Sequence, residues 1–517
     1  MAITVGLDFG THQTKICIED TADKQNPNYT FWKFKDTSGK TQYVCPSVVQ
    51  LNDDNTLSYG YVSDENCKKG VYIEYTEPVK PQIEKPQLVL PSLPSLYIIP
   101  DINERTFSAE ELAEYRRIKS LIAKNNAFLE ANHHKLCHLI TKRHETEMQN
   151  YASTLKEYQA KYANWREKMT TPIPIRYYYF KQAVFSTFEW KYKNVSPMLL
   201  SIWYIANIIF DIESVYGQNF AIQMGVPTGA KDLNKKKEIA TSILLSAYRL
   251  VEDVFNGDKE AFLKSTIEEL TAKTDIIPFS NSKKQEYGIL IFPEAYAGLR
   301  MMTARRKIVH GMNLNIDIGG GTTDISFFTI DNDKPHIYRY ESIPKGINWI
   351  LQEALGEAAI LRNRAHLDTE STSKVYNQKV SNAINRYNQS VANVCANIVK
   401  MLWSEWIEKM GTSTKNHLTA ALQNRPIIYM GGGSTYQKLK KDVGCFTDVH
   451  TIDGEFWSGI QIENVGDLYP VLNTALGLSI GEVDDKIEIY SINQLWDGVS
   501  SNGFEDDKID YNLLDIE

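Results

Sequence analysis

Two passages far apart in the chain, "ITVGLDFGTHQTKICIED" at residues 3–20 and "NLNIDIGGGTTDISFFTID" at residues 313–331, repeat one scheme. Each is an apolar strand that halts at an Asp, turns through Gly and Thr, and resumes at once as a second strand. Asp8 and Asp317 occupy the same point of the two units, and "TQYVCPSVVQL" and "PHIYRYESIP" supply later strands to each. The duplication predicts two related α/β lobes facing one site. Turns of this kind leave backbone N–H groups pointing outward, where they can hold an anion. The triple glycine Gly319–Gly321 weakens a strand, and close approach of a phosphate to bare backbone is a reason for it.

The bulk numbers narrow the partners. A chain of 517 residues has room for two or three domains, and 43% hydrophobic with 23% charged residues is ordinary for a globular protein. The formal net charge of -8 disfavours nucleic acid and anionic membranes. Six cysteines lie scattered without a C-x-x-C pair, which argues against a disulfide framework or a zinc site. The opening lacks the basic and apolar regions of a signal peptide, and "MLLSIWYIANIIF" from Met198 to Phe210 is too short to span a bilayer. The expectation is a reduced, cytoplasmic protein with no nucleic-acid or membrane partner.

Between the two units the text changes. From Asp101 to Thr171 there is neither Gly nor Pro, and Tyr151, Leu155, Tyr158, Tyr162 and Trp165 recur at spacings of three and four. This predicts a helix with a coiled-coil-like seam. One helix over residues 108–168 would be roughly 90 Å long; a hairpin broken at "NNAFLEANHHK" is the other possibility. The predicted organisation is lobe I at 1–75 and 177–310, the helical insertion at 76–176, lobe II at 311–483 and an acidic tail at 484–517. The insertion, with the aromatic run "RYYYFKQAVFSTFEWKY" behind it, is the expected surface for a protein partner.

Taken in order, "VGLDFGTHQTKI", "LNIDIGGGTTDISFF" and "IIYMGGGSTYQKL" resemble the phosphate-1, phosphate-2 and adenosine motifs of the actin-like ATPase superfamily. "YVCPSVVQL", "GVPTGAKD", "FPEAYAGL" and "LYPVLNTALGLSIGEV" are similar to segments of its DnaK-type heat-shock branch. The resemblance covers residues 1–60 and 218–483. It implies the actin-like fold, two ribonuclease-H-like lobes around a cleft that binds ATP or ADP with Mg²⁺. It further implies that Asp8, Asp317 and Asp324 hold the metal through water. Gly10, Thr11, Gly319, Gly320, Gly321, Thr322, Thr323 and Gly346 belong to the phosphate turns, with Thr322 and Asp317 also counted as catalytic. Glu294 orients the attacking water, and Gly432, Gly433, Ser434 and Tyr436 form the adenosine end.

The chain also departs from that pattern. Asp64 stands where the DnaK branch has its catalytic lysine, and Lys15, at a place where actins carry one, is the expected replacement. Few residues separate "KGINWILQEAL" from the helix starting near Val380, so the adenine-side lobe is reduced; Arg364 is a weak candidate for an adenine contact. A peptide-binding domain is not expected, since after Val483 the sequence reads only as the acidic tail. The resulting expectation is a DnaK-like ATPase that slowly hydrolyses ATP to control a protein partner. The alternatives are an actin-like filament-forming protein and a pseudo-ATPase that keeps its nucleotide as a structural ligand.

Overall fold

The computed structural model of the chain describes residues 2–23, 27–98, 100–101, 107–186, 188–228, 232–301, 312–331, 334–356, 374–410, 424–444, 446–487 and 490. Residues 73–172 form one compact unit and the flanking parts of the chain form another. Arg364 and the tail beyond residue 490 lie outside the described residues.

The flanking unit contains both lobes. Lobe I begins with β1 (Ile3–Phe9), β2 (Gln13–Asp20) and β3 (Asn28–Phe31), which pair antiparallel in that order. The inserted helix, α1 (Ala109–Thr170), belongs to the other unit; after it come α2 (Phe180–Phe185) and α3 (Pro197–Tyr216). Next are β4 (Phe220–Val226), α4 (Leu233–Arg249), β5 (Ile289–Pro293) and α5 (Glu294–Arg300). Strand β4 lies parallel to β1 on its other side and β5 lies parallel to β4. Lobe II has β6 (Asn313–Ile318), β7 (Thr323–Asp331), β8 (Lys334–Ile343), α6 (Ile347–Leu355), α7 (Lys374–Met410), β9 (Pro426–Met430) and β10 (Asp448–Thr451). Its order β8-β7-β6-β9-β10, two antiparallel pairs and then two parallel ones, is the order β3-β2-β1-β4-β5 of lobe I over again. The repeated strand–turn–strand unit thus becomes the first hairpin of two equivalent sheets.

Central strands covered on both faces need continuous apolar runs, and β1 and β9 have them: every residue from Thr4 to Phe9 and from Pro426 to Met430 is buried. The closing helix α8 (Tyr469–Ser479) fits between the layers because glycine removes the side chains in its way. A Cβ on Gly6 would lie 2.4 Å from the Ala475 carbonyl oxygen, and one on Gly477 would lie 1.7 Å from that of Ala297. Helix α3 runs 20 residues, longer than the apolar stretch Met198–Phe210, and is long and apolar enough to cross a membrane. Its residues from Leu200 to Ala206 are all buried, and Phe9, Phe180 and Tyr204 pack on one another beside it.

The aromatic run behind the insertion is core rather than a partner surface. Tyr177, Tyr179, Phe180, Phe185 and Tyr192 are all buried, with Tyr72, Tyr177 and Tyr192 packed on one another. The start of the expected acidic tail is docked too. The Asp485 carboxylate accepts from Lys284 Nζ at 2.6 Å and from the Ile291 N–H at 3.1 Å.

In the other unit α1 is a single helix of 62 residues, continuous through "NNAFLEANHHK". Ser108 and Glu111 form a reciprocal cap at its start. At 1.5 Å per residue it extends roughly 90 Å, and none of its residues is buried. Its more covered face, from Ile122 through Leu129, Cys137, Ile140, Met148, Tyr151, Leu155, Tyr158 and Trp165 to Met169, recurs about every 3.6 residues, the period of a straight helix and not of a supercoil. The expected coiled-coil seam therefore has a different neighbour. The Pro-rich segment at residues 75–100 runs back along α1, held by Trp165 Nε1 donating to the Tyr75 carbonyl, Asn126 clasping the Tyr97 backbone, and Tyr115 donating to the Pro100 carbonyl. Proline disfavours helix and favours the extended polyproline conformation, so residues 75–97 cover roughly 70 Å against roughly 60 Å of helix between residues 126 and 165.

Candidate functional site

The two first hairpins place their turns on opposite walls of one cleft with a volume of about 830 Å³. Antiparallel register explains the first pairing: Asp8 on β1 stands opposite Lys15 on β2, and Lys15 Nζ donates to Asp8 Oδ2 at 2.8 Å. The same register in lobe II puts Asp324 opposite Asp317. Two carboxylates face each other where lobe I has an ion pair, and like charges in directly opposed strand positions repel.

The electrostatics follow. Burial pushes the Asp317 carboxyl well above the usual carboxylate range, reinforced by the charges of Asp324, Glu294 and Asp8. Asp324 is pushed up to about 7, by burial first and then by Glu294. Burial alone would pull Lys15 down, but Asp8, with Asp317 and Glu294 further off, holds it above its ordinary value.

Glu294 opens α5 directly after the end of β5, and Lys181 of α2 forms a salt bridge with it. The Lys181 ammonium also lies 5.9 Å from the ring centroid of Phe9. Five carboxylates, Asp8, Asp232, Glu294, Asp317 and Asp324, line the cleft with three lysines, Lys15, Lys181 and Lys236; of these, Lys15 pairs with Asp8 and Lys181 with Glu294. Reading the sequence missed Lys181, which sits inside an aromatic run with no turn motif around it. Its local signal was a lone lysine amid residues destined for the core.

The glycine turn of lobe II meets lobe I closely. A Cβ on Gly320 would lie 1.9 Å from His12 Cδ2, and one on Gly321 would lie 2.9 Å from the Gln182 side chain. His12 hydrogen-bonds Asn348 of α6, so the lobes touch at this end. The N–H groups of Ile347 and Asn348 donate to the Gly319 and Gly320 carbonyls, tying the start of α6 to the turn.

The residues named from sequence divide by position. Asp8, Gly10, Thr11, Lys15, Glu294, Asp317, Gly319, Gly320, Gly321, Thr322, Asp324, Gly432 and Tyr436 line the cleft. Thr323, Gly346, Gly433 and Ser434 stand behind its wall. The Thr323 hydroxyl donates to the Lys345 carbonyl, a Cβ on Gly346 would strike the Gly319 carbonyl at 2.4 Å, Gly433 packs on Ile318, and Ser434 Oγ donates to the Gly431 carbonyl. Asp64, with its side chain 82% exposed, pairs with Arg176 away from the cleft.

The donor set fits a magnesium ion carried with a polyphosphate. Asp324 Oδ1 is buried without a hydrogen-bond partner, and Gly432 leaves open space where a side chain would stand. Among the described residues no three His, Cys, Asp or Glu side chains are placed to ligate one ion together, so these carboxylates would hold magnesium through its waters.

The doubled sheet order and the cleft between the two copies match the two-lobed actin-like architecture expected from the sequence. No family model and no curated protein matches the chain. Similar solved structures include a non-polymerising MamK mutant bound to AMPPNP, at 11% identity and a TM-score of 0.31, covering 89% of this chain and 96% of that one. Another is a PilM–PilN type IV pilus biogenesis complex, at 12% identity and a TM-score of 0.30, covering 54% of this chain and 84% of that one.

Proposed function

We propose that the cleft binds ATP with Mg²⁺ and hydrolyses it to ADP and phosphate, the protein acting as an actin-like nucleotide switch. The observation that carries this reading is the convergence of Lys15, Lys181, Asp8, Glu294, Asp317 and Asp324 from two equivalent lobes on one glycine-walled cavity. The backbone N–H groups around Gly10–Thr11 and Gly320–Thr322 would cradle the terminal phosphates, and the two ammonium groups would balance charge on their oxygens. Bound magnesium would neutralise charge on the phosphates as the terminal bond breaks. Glu294, held by its salt bridge with Lys181, would orient a water toward the terminal phosphorus. Tyr436 with Pro344, Ile347 and Leu351 gives the cleft an apolar end suited to a purine ring.

The cleft position of Lys15 favours the actin-like branch over the DnaK-type one, as does the surface position of Asp64. Control of a protein partner, or assembly into filaments, would follow from nucleotide-dependent closure of the lobes. Single-turnover hydrolysis of preloaded ATP tests the reading. Cleavage by the native chain, with ATP retained but uncleaved in Lys181→Ala, supports it; a native chain that retains ATP and never cleaves it makes the nucleotide a structural ligand.

A further inference from the structure

Helix α1 carries a second stripe, separate from the face covered by its own Pro-rich segment. At 100° per residue its members, from Glu114 at one end to Arg143 at the other, fall within an arc of about 80°. The apolar members Ile118, Leu121, Phe128, Leu136 and Leu139 are 44%, 59%, 65%, 48% and 63% exposed. A stripe of large apolar side chains this exposed marks an interaction surface.

The order of residues along the stripe identifies what covers it. Ile118 is as far from the peptide linking Phe128 to Leu129 as Leu139 is on the other side, and Leu121 likewise matches Leu136. Asn125 matches Asn132, and at the outer ends Glu114 matches Arg143. Turned end for end, the stripe puts leucine or isoleucine on leucine, amide on amide and carboxylate on guanidinium, with Phe128 near the turning point. This is what a twofold interface demands, because residue i must meet j while j meets i. Paired asparagines in an apolar seam fix register, since a slip leaves their amides facing hydrocarbon. Glu114 and Arg143 at present make exposed pairs with Arg117 and Glu147, which contribute little and can be exchanged.

We propose that α1 docks antiparallel on α1 of a second copy of this chain, along the stripe centred between Phe128 and Leu129. The charged ends give two Glu114–Arg143 pairs per dimer, and the helices cross on a twofold axis beside Phe128. The inference concerns α1 alone and holds whether or not the cleft turns over ATP.

Sedimentation velocity on the full chain at tens of micromolar should give a species of twice 59.0 kDa. Leu121→Glu with Phe128→Glu, both at exposed positions, should give monomer with unchanged circular dichroism. Glu114→Arg or Arg143→Glu alone should weaken the dimer, and the two together should restore it. Orientation is read by spin labels at Thr146→Cys in a background of Cys137→Ser and Cys445→Ser. Antiparallel helices place the two labels roughly 50 Å apart, whereas parallel ones leave them within about 20 Å. A native chain that stays monomeric, charge reversals that do not compensate, or the short label distance would each overturn the proposal. So would a monomer that instead sediments with phosphatidylcholine–phosphatidylglycerol vesicles through the same stripe.

Discussion

Asp324 gives the sharpest quantitative handle on the cleft. Its carboxyl is pushed from the usual 3.8 up to about 7 by burial and by Glu294. In the unfolded chain the same group ionises near 3.8, so between these values the folded protein holds a proton that the unfolded one has lost. Stability of the ligand-free protein therefore falls as pH rises through this window, and the loss is complete above about 7. At about 1.4 kcal/mol per unit the whole shift costs about 4 kcal/mol, of which about 2 kcal/mol is lost between roughly pH 5.5 and pH 8. Asp324→Asn removes the titration, keeps an oxygen that can accept from the Thr322 hydroxyl, and sets a neutral amide opposite Asp317. Urea unfolding of nucleotide-free, metal-free protein at the two pH values measures the effect. The variant should be the more stable protein at the higher pH, with a shallower pH dependence. Equal pH slopes for the native chain and the variant would refute the claim that Asp324 is held protonated by its surroundings.

Lys15→Ala and Lys181→Ala should each slow single-turnover ATP cleavage by roughly 10²–10³-fold, the scale for removing one charge-stabilising donor; normal cleavage in either would remove that lysine from the phosphate site. Asp64→Ala should leave cleavage unchanged and alter stability, measured by thermal melting, by less than about 0.5 kcal/mol, because its pair with Arg176 is exposed on the Asp64 side. Gly6→Ala should cost about 1–3 kcal/mol or more in chemical denaturation, since the backbone of α8 has to move to make room.

The doubled sheet was legible because a strand–turn–strand unit leaves a local mark, an apolar run broken by Asp and Gly, and both lobes carry it. Register then brought Lys15 to Asp8 and Asp324 to Asp317 without any long-range information. Lys181 was not legible. Its role depends on an ion pair with Glu294, far along the chain, and nothing in the spacing of "YYYFKQAVF" records that contact. Glycines misled in a consistent way. Gly346 reads as a phosphate-turn residue and Gly433 as part of the adenosine end, yet each is glycine because another part of the same lobe packs against its backbone. The seam of α1 misled for a related reason, because side-chain periodicity shows that a face is covered and not by what. An extended proline-rich segment satisfied it instead of a second helix.

Titration of the full chain with ATP, followed calorimetrically with and without Mg²⁺ and repeated on Asp317→Asn, tests the central claim most directly. A cleft built as described should bind ATP tightly only when Mg²⁺ is present, and the substitution should weaken that binding and flatten its magnesium dependence. Binding that is absent in the native chain, or that is indifferent to both Mg²⁺ and Asp317, would contradict the account.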